Sequence, residues 1–110
     1  MITYQEFTNI DIRAGTILRA EIFPEARQPA YKIWIDFGHE IGEKKSSAQI
    51  THLYKLKDLV GKQVLAVVNF TPKQVGSFMS EVLILGLSNE AGQIVLVSPD
   101  SPSPNGARLH

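Results

Sequence analysis

A small all-β barrel is the fold this sequence predicts, on three observations. The apolar runs are short and strand-like, a glycine sits inside the first of them, and only one stretch between strands carries helical spacing. Thr3 and Glu6 stand at capping-box spacing ahead of Phe7 and Ile10, which predicts one short helical turn over residues 3–9, placed to cover a barrel end. From Asp11 to Glu21 the chain reads as a strand, and Gly15 within it marks a bulge or bend that lets one strand serve two halves of a curved sheet. Phe23 to Pro29 is a loop, because Pro24 and Pro29 disrupt both helix and ladder hydrogen bonding.

Tyr31 to Phe37 alternates, with Tyr31, Ile33, Ile35 and Phe37 on the core face and Lys32, Trp34 and Asp36 on the other. Gly38 and Gly42 bracket a turn, after which residues 44–49 extend again. Ile50 to Leu59 is the best helical candidate, with Leu53, Leu56 and Leu59 spaced by three and Gly61 as the stop. Gln63–Phe70 and Glu81–Leu87 read as strands apolar enough for burial on both faces, so that one face is available as an interface. Asn89 to Gly92 forms a hairpin turn into the strand Ile94–Ser98, and Pro99 to Gly106 is an irregular tail with three prolines. Several short strands with a single helix between the third and fourth suggest a five-stranded Greek-key barrel, the OB fold, with added terminal segments. Periodicity alone leaves other small barrels open.

At 110 residues the chain is read as one domain, 1–110, and an oligomer would add useful burial to so small a core. Eleven Lys plus Arg balance eleven Asp plus Glu, so no global field draws it to nucleic acid or an anionic membrane; any electrostatic site is local. The lack of cysteine excludes disulfides, thiolate metal sites and thiol nucleophiles. Neither a signal-like N-terminus nor a spanning apolar run is present, which predicts a cytoplasmic protein without membrane insertion.

The stretch Asn69 to Leu85 carries the functional signal. Lys73, Gln74, Ser77 and Ser80 stand beside the exposed-looking apolar pair Phe78 and Met79, a mixture suited to partner contact rather than to a plain turn. Lys44, Lys45 and Lys73 offer a cationic patch for phosphates, and read equally well as solvated surface residues. Flexible Met79 beside Phe78 suits an extended peptide, with one of the two plugging the barrel end as the plainer reading. Trp34, out of phase with the core face, points to a dimer interface, or to cover by a local helix. Glu81, in a groove meant for anions, reads as organising the loop through backbone amides. Asp11 with Arg13, and Asp36 with Lys32, read as cross-sheet pairs of little energetic weight.

The segments Asp11-Ile-Arg-Ala-Gly-Thr-Ile, Phe23-Pro-Glu-Ala-Arg, Ile35-Asp-Phe-Gly, Lys45-Ser-Ser-Ala-Gln-Ile-Thr, Val67-Val-Asn-Phe, Ser80-Glu-Val-Leu and Pro104-Asn-Gly resemble the CsaA group of secretion chaperones. That group is part of the tRNA-binding-domain family, which also includes the C-terminal domain of bacterial methionyl-tRNA synthetase. The resemblance implies an OB-fold homodimer, assembled largely through terminal segments, that binds unfolded preproteins and works with the export machinery. It implies a tRNA-binding-type surface as well, with structure-specific tRNA binding as the alternative function. By the same resemblance Ser46, Ser47, Gln49, Asn69, Lys73, Ser77, Phe78, Ser80 and Glu81 lie on the ligand-facing side. Where the wider family has an Arg-Gly pair this chain has Gly76 and Ser77, and Gln74 takes another often-basic place, which implies weak phosphate binding. No enzyme, cofactor or metal is expected. His39, His52 and His110 lie in unrelated segments, and Ser46 and Ser47 have no evident base.

Overall fold

The computed structural model describes residues 1–110. Its elements run α1 Tyr4–Thr8, β1 Ile12–Ile22, β2 Tyr31–Asp36, α2 Gly38–Ile41, β3 Glu43–Ala48, α3 Leu56–Leu59, β4 Gln63–Val67, β5 Lys73–Val75, β6 Phe78–Ser80, β7 Leu83–Ile84, β8 Gly86–Ser88 and β9 Ile94–Leu96. Five antiparallel strands in the order β3-β2-β1-β4-β7 form the nearly closed OB-like barrel, and β5-β6 and β8-β9 are hairpins outside that sheet. The alternation in β2 sets the interior: Ile33, Ile35 and Phe37 are all fully buried, together with Ile17, Leu59 and Val64. Each such side chain contributes about 1.5–3 kcal/mol by leaving water.

Strand β1 does serve both halves of the barrel, pairing β4 through Ile12–Thr16 and β2 through Thr16–Ile22. Its register shift falls between Ile17 and Arg19, so the bulge expected at Gly15 lies at Leu18, whose side chain turns outward. Gly15 instead marks a close approach. A Cβ there would stand 2.6 Å from Ile35 Cγ2 and 2.7 Å from the Phe37 ring.

The helical turn expected ahead of the strands is present as α1, and two short helices, α2 and α3, stand between the strands where one was expected. Helix α1 carries the full capping box, Glu6 N–H donating to Thr3 Oγ1 at 3.1 Å and Thr3 N–H to Glu6 Oε1 at 3.0 Å. It buries no residue, and so covers no barrel end; it lies along the C-terminal segment, where Arg108 donates to Thr8 O. Helix α3 keeps only the last turn of the expected 50–59 helix. Tyr54 is held outside it, its carbonyl accepting from the Tyr31 hydroxyl and its phenol from Leu96 N–H, and Lys55 is extended. Of the three spaced leucines only Leu59 is buried.

The expected strand Glu81–Leu87 is broken at Leu85. There the chain leaves β4 for β9, Leu85 N–H donating to Leu65 O and Leu85 O accepting from Val97 N–H. Leu83 and Leu87 are exposed, so the chain itself does not bury both faces of this run. The tail is less irregular than its prolines suggest. Gly106 N–H donates to Ala14 O, Ala14 N–H to Ala107 O and Leu109 N–H to Ile12 O, covering the otherwise open edge of the first half of β1. Arg13 clamps that junction through Asp11 at 2.6 Å and the Gly106 carbonyl at 2.9 Å. The hydrogen bond that Arg13 donates to Asp11 raises the Arg13 pKa above its ordinary value against the opposing effect of desolvation, and the charges of Asp11 and Glu40 add to the rise. The expected Asp36–Lys32 pair is absent: Asp36 accepts from Gly38 N–H and Asn105 Nδ2, while Lys32 lies over aromatic rings.

Candidate ligand groove and aromatic face

Residues 69–81 fold into a hairpin rather than an open loop. β5 pairs β6 with Lys73 opposite Ser80 and Val75 opposite Phe78, and the turn is made by Gly76 and Ser77. Gly76 has φ +61° and Ser77 a negative φ, the pattern of a two-residue turn that needs glycine first. Strand alternation then separates the neighbours Phe78 and Met79. Phe78 turns inward, 7% exposed, against Phe23 and Ala30, whereas Met79 stays at the surface.

This corrects the reading of Phe78 as a contact residue. Its ring centroid is 5.4 Å from that of Phe23 and 6.0 Å from that of Trp34, both edge-on. Trp34 does face away from the core, but its cover comes from within the chain. Phe78 lies on one side and the Arg19 guanidinium stacks 3.9 Å from the indole. Lys32 Nζ stands 5.1 Å from the Phe23 ring and 5.6 Å from the Phe78 ring, and Lys45 Nζ 5.3 Å from the Phe78 ring. Three cations thus share one aromatic platform on the outer face of β1, β2 and β3. Register explains the grouping, since Trp34 pairs with Arg19 on one side and Lys45 on the other.

Beyond the hairpin lies a groove of about 830 Å³ between loop 23–30, β5 and the end of β3. Four expected site residues line it: Ser47, Gln49, Lys73 and Ser80. The others do not. Ser46 is buried and donates to Ser47 O. Asn69 accepts from Asp11 N–H and donates to Asn9 O, tying down the N-terminal segment. Lys44 is half-buried on β3, and Ser77 is at the exposed hairpin tip. Glu81 accepts Lys45 N–H at 3.1 Å and gives its own N–H to Lys45 O at 2.8 Å, while Ser80 Oγ accepts Ser47 N–H. Those three bonds tie β3 to the β6–β7 segment at Lys45 and Ser47.

The residues that sequence reasoning missed are Arg27 and Gln28 from the proline-flanked loop, and Arg19 and Lys32 on the platform. Arg27 was legible as a cation between two prolines in a loop joining barrel strands, a position where OB folds place ligand contacts. Neither Arg27 nor Lys73 forms an ion pair within the chain. Glu25 is the one acid in the groove lining.

The sequence model of the family described as "putative tRNA binding domain" matches residues 12–108. A solved structure of chaperone CsaA from Bacillus anthracis is 51% identical, with a TM-score of 0.93 and coverage of 100% of this chain and 99% of that one. The CsaA chaperone protein from Picrophilus torridus is 50% identical, also at TM-score 0.93, each chain being covered completely. A methionine--tRNA ligase of Flavobacterium johnsoniae is 32% identical over 110 residues, which is all of this chain and 15% of the ligase. The likeness is therefore to a small part of that enzyme.

Proposed function

The chain belongs to the putative tRNA-binding domain family, and from that premise we propose that it is a chaperone of CsaA type. It holds unfolded, export-destined polypeptide in the groove between loop 23–30 and the β5-β6 hairpin. The observation that carries this reading is the full-length likeness, at about half identity, to two solved CsaA chaperones. The groove's make-up agrees with it. Amides, hydroxyls and two unpaired cations stand beside Val75, Val82 and Leu83, a lining that grips main chain and mixed side chains without demanding one sequence. Binding of this kind uses no hydrolysis, and the clients pass on from the cytoplasm to the export machinery. No helix of the chain is long and apolar enough to cross a membrane.

The working unit in this proposal is a homodimer. Tyr4, Ile10 and Leu109 are exposed around a notch of about 350 Å³ between α1 and the C-terminal residues, and Met1 and Ile2 are exposed at the N-terminus, apolar surface that a second copy would cover. Sedimentation should give twice the 12.2 kDa chain mass; a monomer at micromolar concentration would remove this part. Two grooves on one dimer would raise apparent affinity for a long client through effective concentration.

One observation favours a second reading, structure-specific tRNA binding. Arg19, Lys32 and Lys45 are gathered on one outer face, held over Trp34, Phe23 and Phe78, a local cationic surface of the kind that phosphates require. A titration of labelled tRNA at low and moderate salt, with an unfolded export precursor as competitor, decides between the two. Chaperone function predicts binding of the precursor that survives moderate salt, with tRNA binding weak and readily displaced. Tight tRNA binding with a steep salt dependence that the precursor cannot displace would reverse the order.

A further inference from the structure

The barrel is incompletely closed at one place. Glu81 donates to Lys45 O, but beyond it no backbone hydrogen bond joins β7 to β3, which are not neighbours in the sheet. Gln49, exposed and just past the end of β3, has neither backbone group bonded within the chain. Opposite it runs the segment Leu83 to Leu85, and between them an apolar notch of about 410 Å³ opens, floored by Ile50, Ile84, Ile94 and Leu96. The notch and the groove share Ser47, Gln49 and Leu83, so the two form one continuous trough. One end is apolar and the other holds the unpaired cations Arg27 and Lys73.

From this we infer that the client binds as an added strand at the seam between β3 and β7. The occupant is an extended segment that carries a bulky aliphatic residue and, nearby in sequence, a carboxylate. Its main chain pairs with the free N–H and C=O of Gln49, continuing the β3 edge where the chain's own pairing stops. The aliphatic side chain enters the notch over Ile50 and Leu96, against Leu83. The carboxylate reaches Arg27 and Lys73, which lack any acid partner of their own and so are complementary to it. An open strand edge beside an apolar hole and two unpaired cations selects for three features of a peptide at once: extended backbone, apolar bulk and negative charge. This rests on the chaperone reading and adds a substrate class to it.

The test uses the full chain and a labelled unstructured peptide carrying Leu and Asp close together. Three altered peptides accompany it: Asp replaced by Asn, Leu replaced by Ser, and the parent with alternate backbone nitrogens methylated. Each change is expected to weaken binding about five- to tenfold, the methylated peptide most. Leu83→Ser and the double variant Arg27→Gln with Lys73→Gln replace exposed side chains, so the fold is retained. The double variant should bind the Asp and Asn peptides equally, and Leu83→Ser should narrow the gap between the Leu and Ser peptides. Equal binding of parent and methylated peptides, or a charge preference that survives loss of both cations, overturns the inference. If the parent peptide fails to bind while an unfolded precursor is held, the inference falls and the chaperone reading stands. If neither binds, both fall.

Discussion

Gly15→Ala should lower the unfolding free energy by roughly 2–3 kcal/mol, a large effect for one added methyl group on a protein of this size. The new Cβ would sit 2.6 Å from Ile35 Cγ2 and 2.7–2.8 Å from two atoms of the Phe37 ring, distances that real Cβ atoms do not show. Neither neighbour has room to retreat. Ile35 and Phe37 are both fully buried and belong to the main core, packed at crystal-like density. The Phe37 carbonyl in turn faces Gly106, where an added Cβ would stand 2.5 Å from that oxygen. A shift of Phe37 therefore also disturbs the tail that covers β1. Urea denaturation should show a lower midpoint at unchanged slope. The double variant Gly15→Ala with Phe37→Leu should lose less than the sum of the two single losses, because the smaller side chain yields the space. An unchanged midpoint for Gly15→Ala would mean that the close approach at β1 is not a constraint.

Much of this barrel was legible because its dominant signal is a period of two. Ile33, Ile35 and Phe37 alternate with Lys32, Trp34 and Asp36, and the burial follows that alternation residue by residue. The α1 capping box was legible because two side chains three residues apart satisfy each other locally. What failed depended on distant partners. The 50–59 segment has a helical leucine pattern, but Tyr54 is held by Tyr31 and Leu96, so tertiary bonds overrode local spacing. The same holds at the site. Lysines 44, 45 and 73 looked like one patch in the sequence. The fold sends Lys45 to the aromatic platform and Lys73 to the groove with Arg27, a residue some forty-six positions away that no local pattern joins to it. Asn69 reads as a polar loop residue, yet both ends of its amide are spent on residues 9 and 11.

Phe78→Ser should destabilise the protein by roughly 2–4 kcal/mol and weaken peptide and tRNA binding together. From the sequence alone, a larger loss of peptide binding than of RNA binding is the natural expectation for an exposed phenylalanine. Burial reverses it. The Phe78 ring joins Phe23 and Trp34, carries Lys32 and Lys45 on its faces, and lies across the hairpin from Val75, which lines the groove. Removing it frees the hairpin, and with it both the groove wall and the platform. Phe78→Leu separates the two effects. It keeps apolar volume under the hairpin, so peptide affinity should hold, but it removes the ring beneath both lysines. Each such cation–π contact contributes about 0.5–1 kcal/mol at a partly exposed site, so any tRNA affinity should fall severalfold. Met79, one residue on but on the opposite side of β6, is solvent-facing, and Met79→Ser should change stability by less than about 0.5 kcal/mol. Denaturation curves and the two titrations, run on all three variants, check this. Full stability of Phe78→Ser with peptide binding alone abolished would place that ring in contact with the client and undo the assignment of Phe78 as a support. Loss of binding in Met79→Ser would move the client from the groove to the outer side of the hairpin.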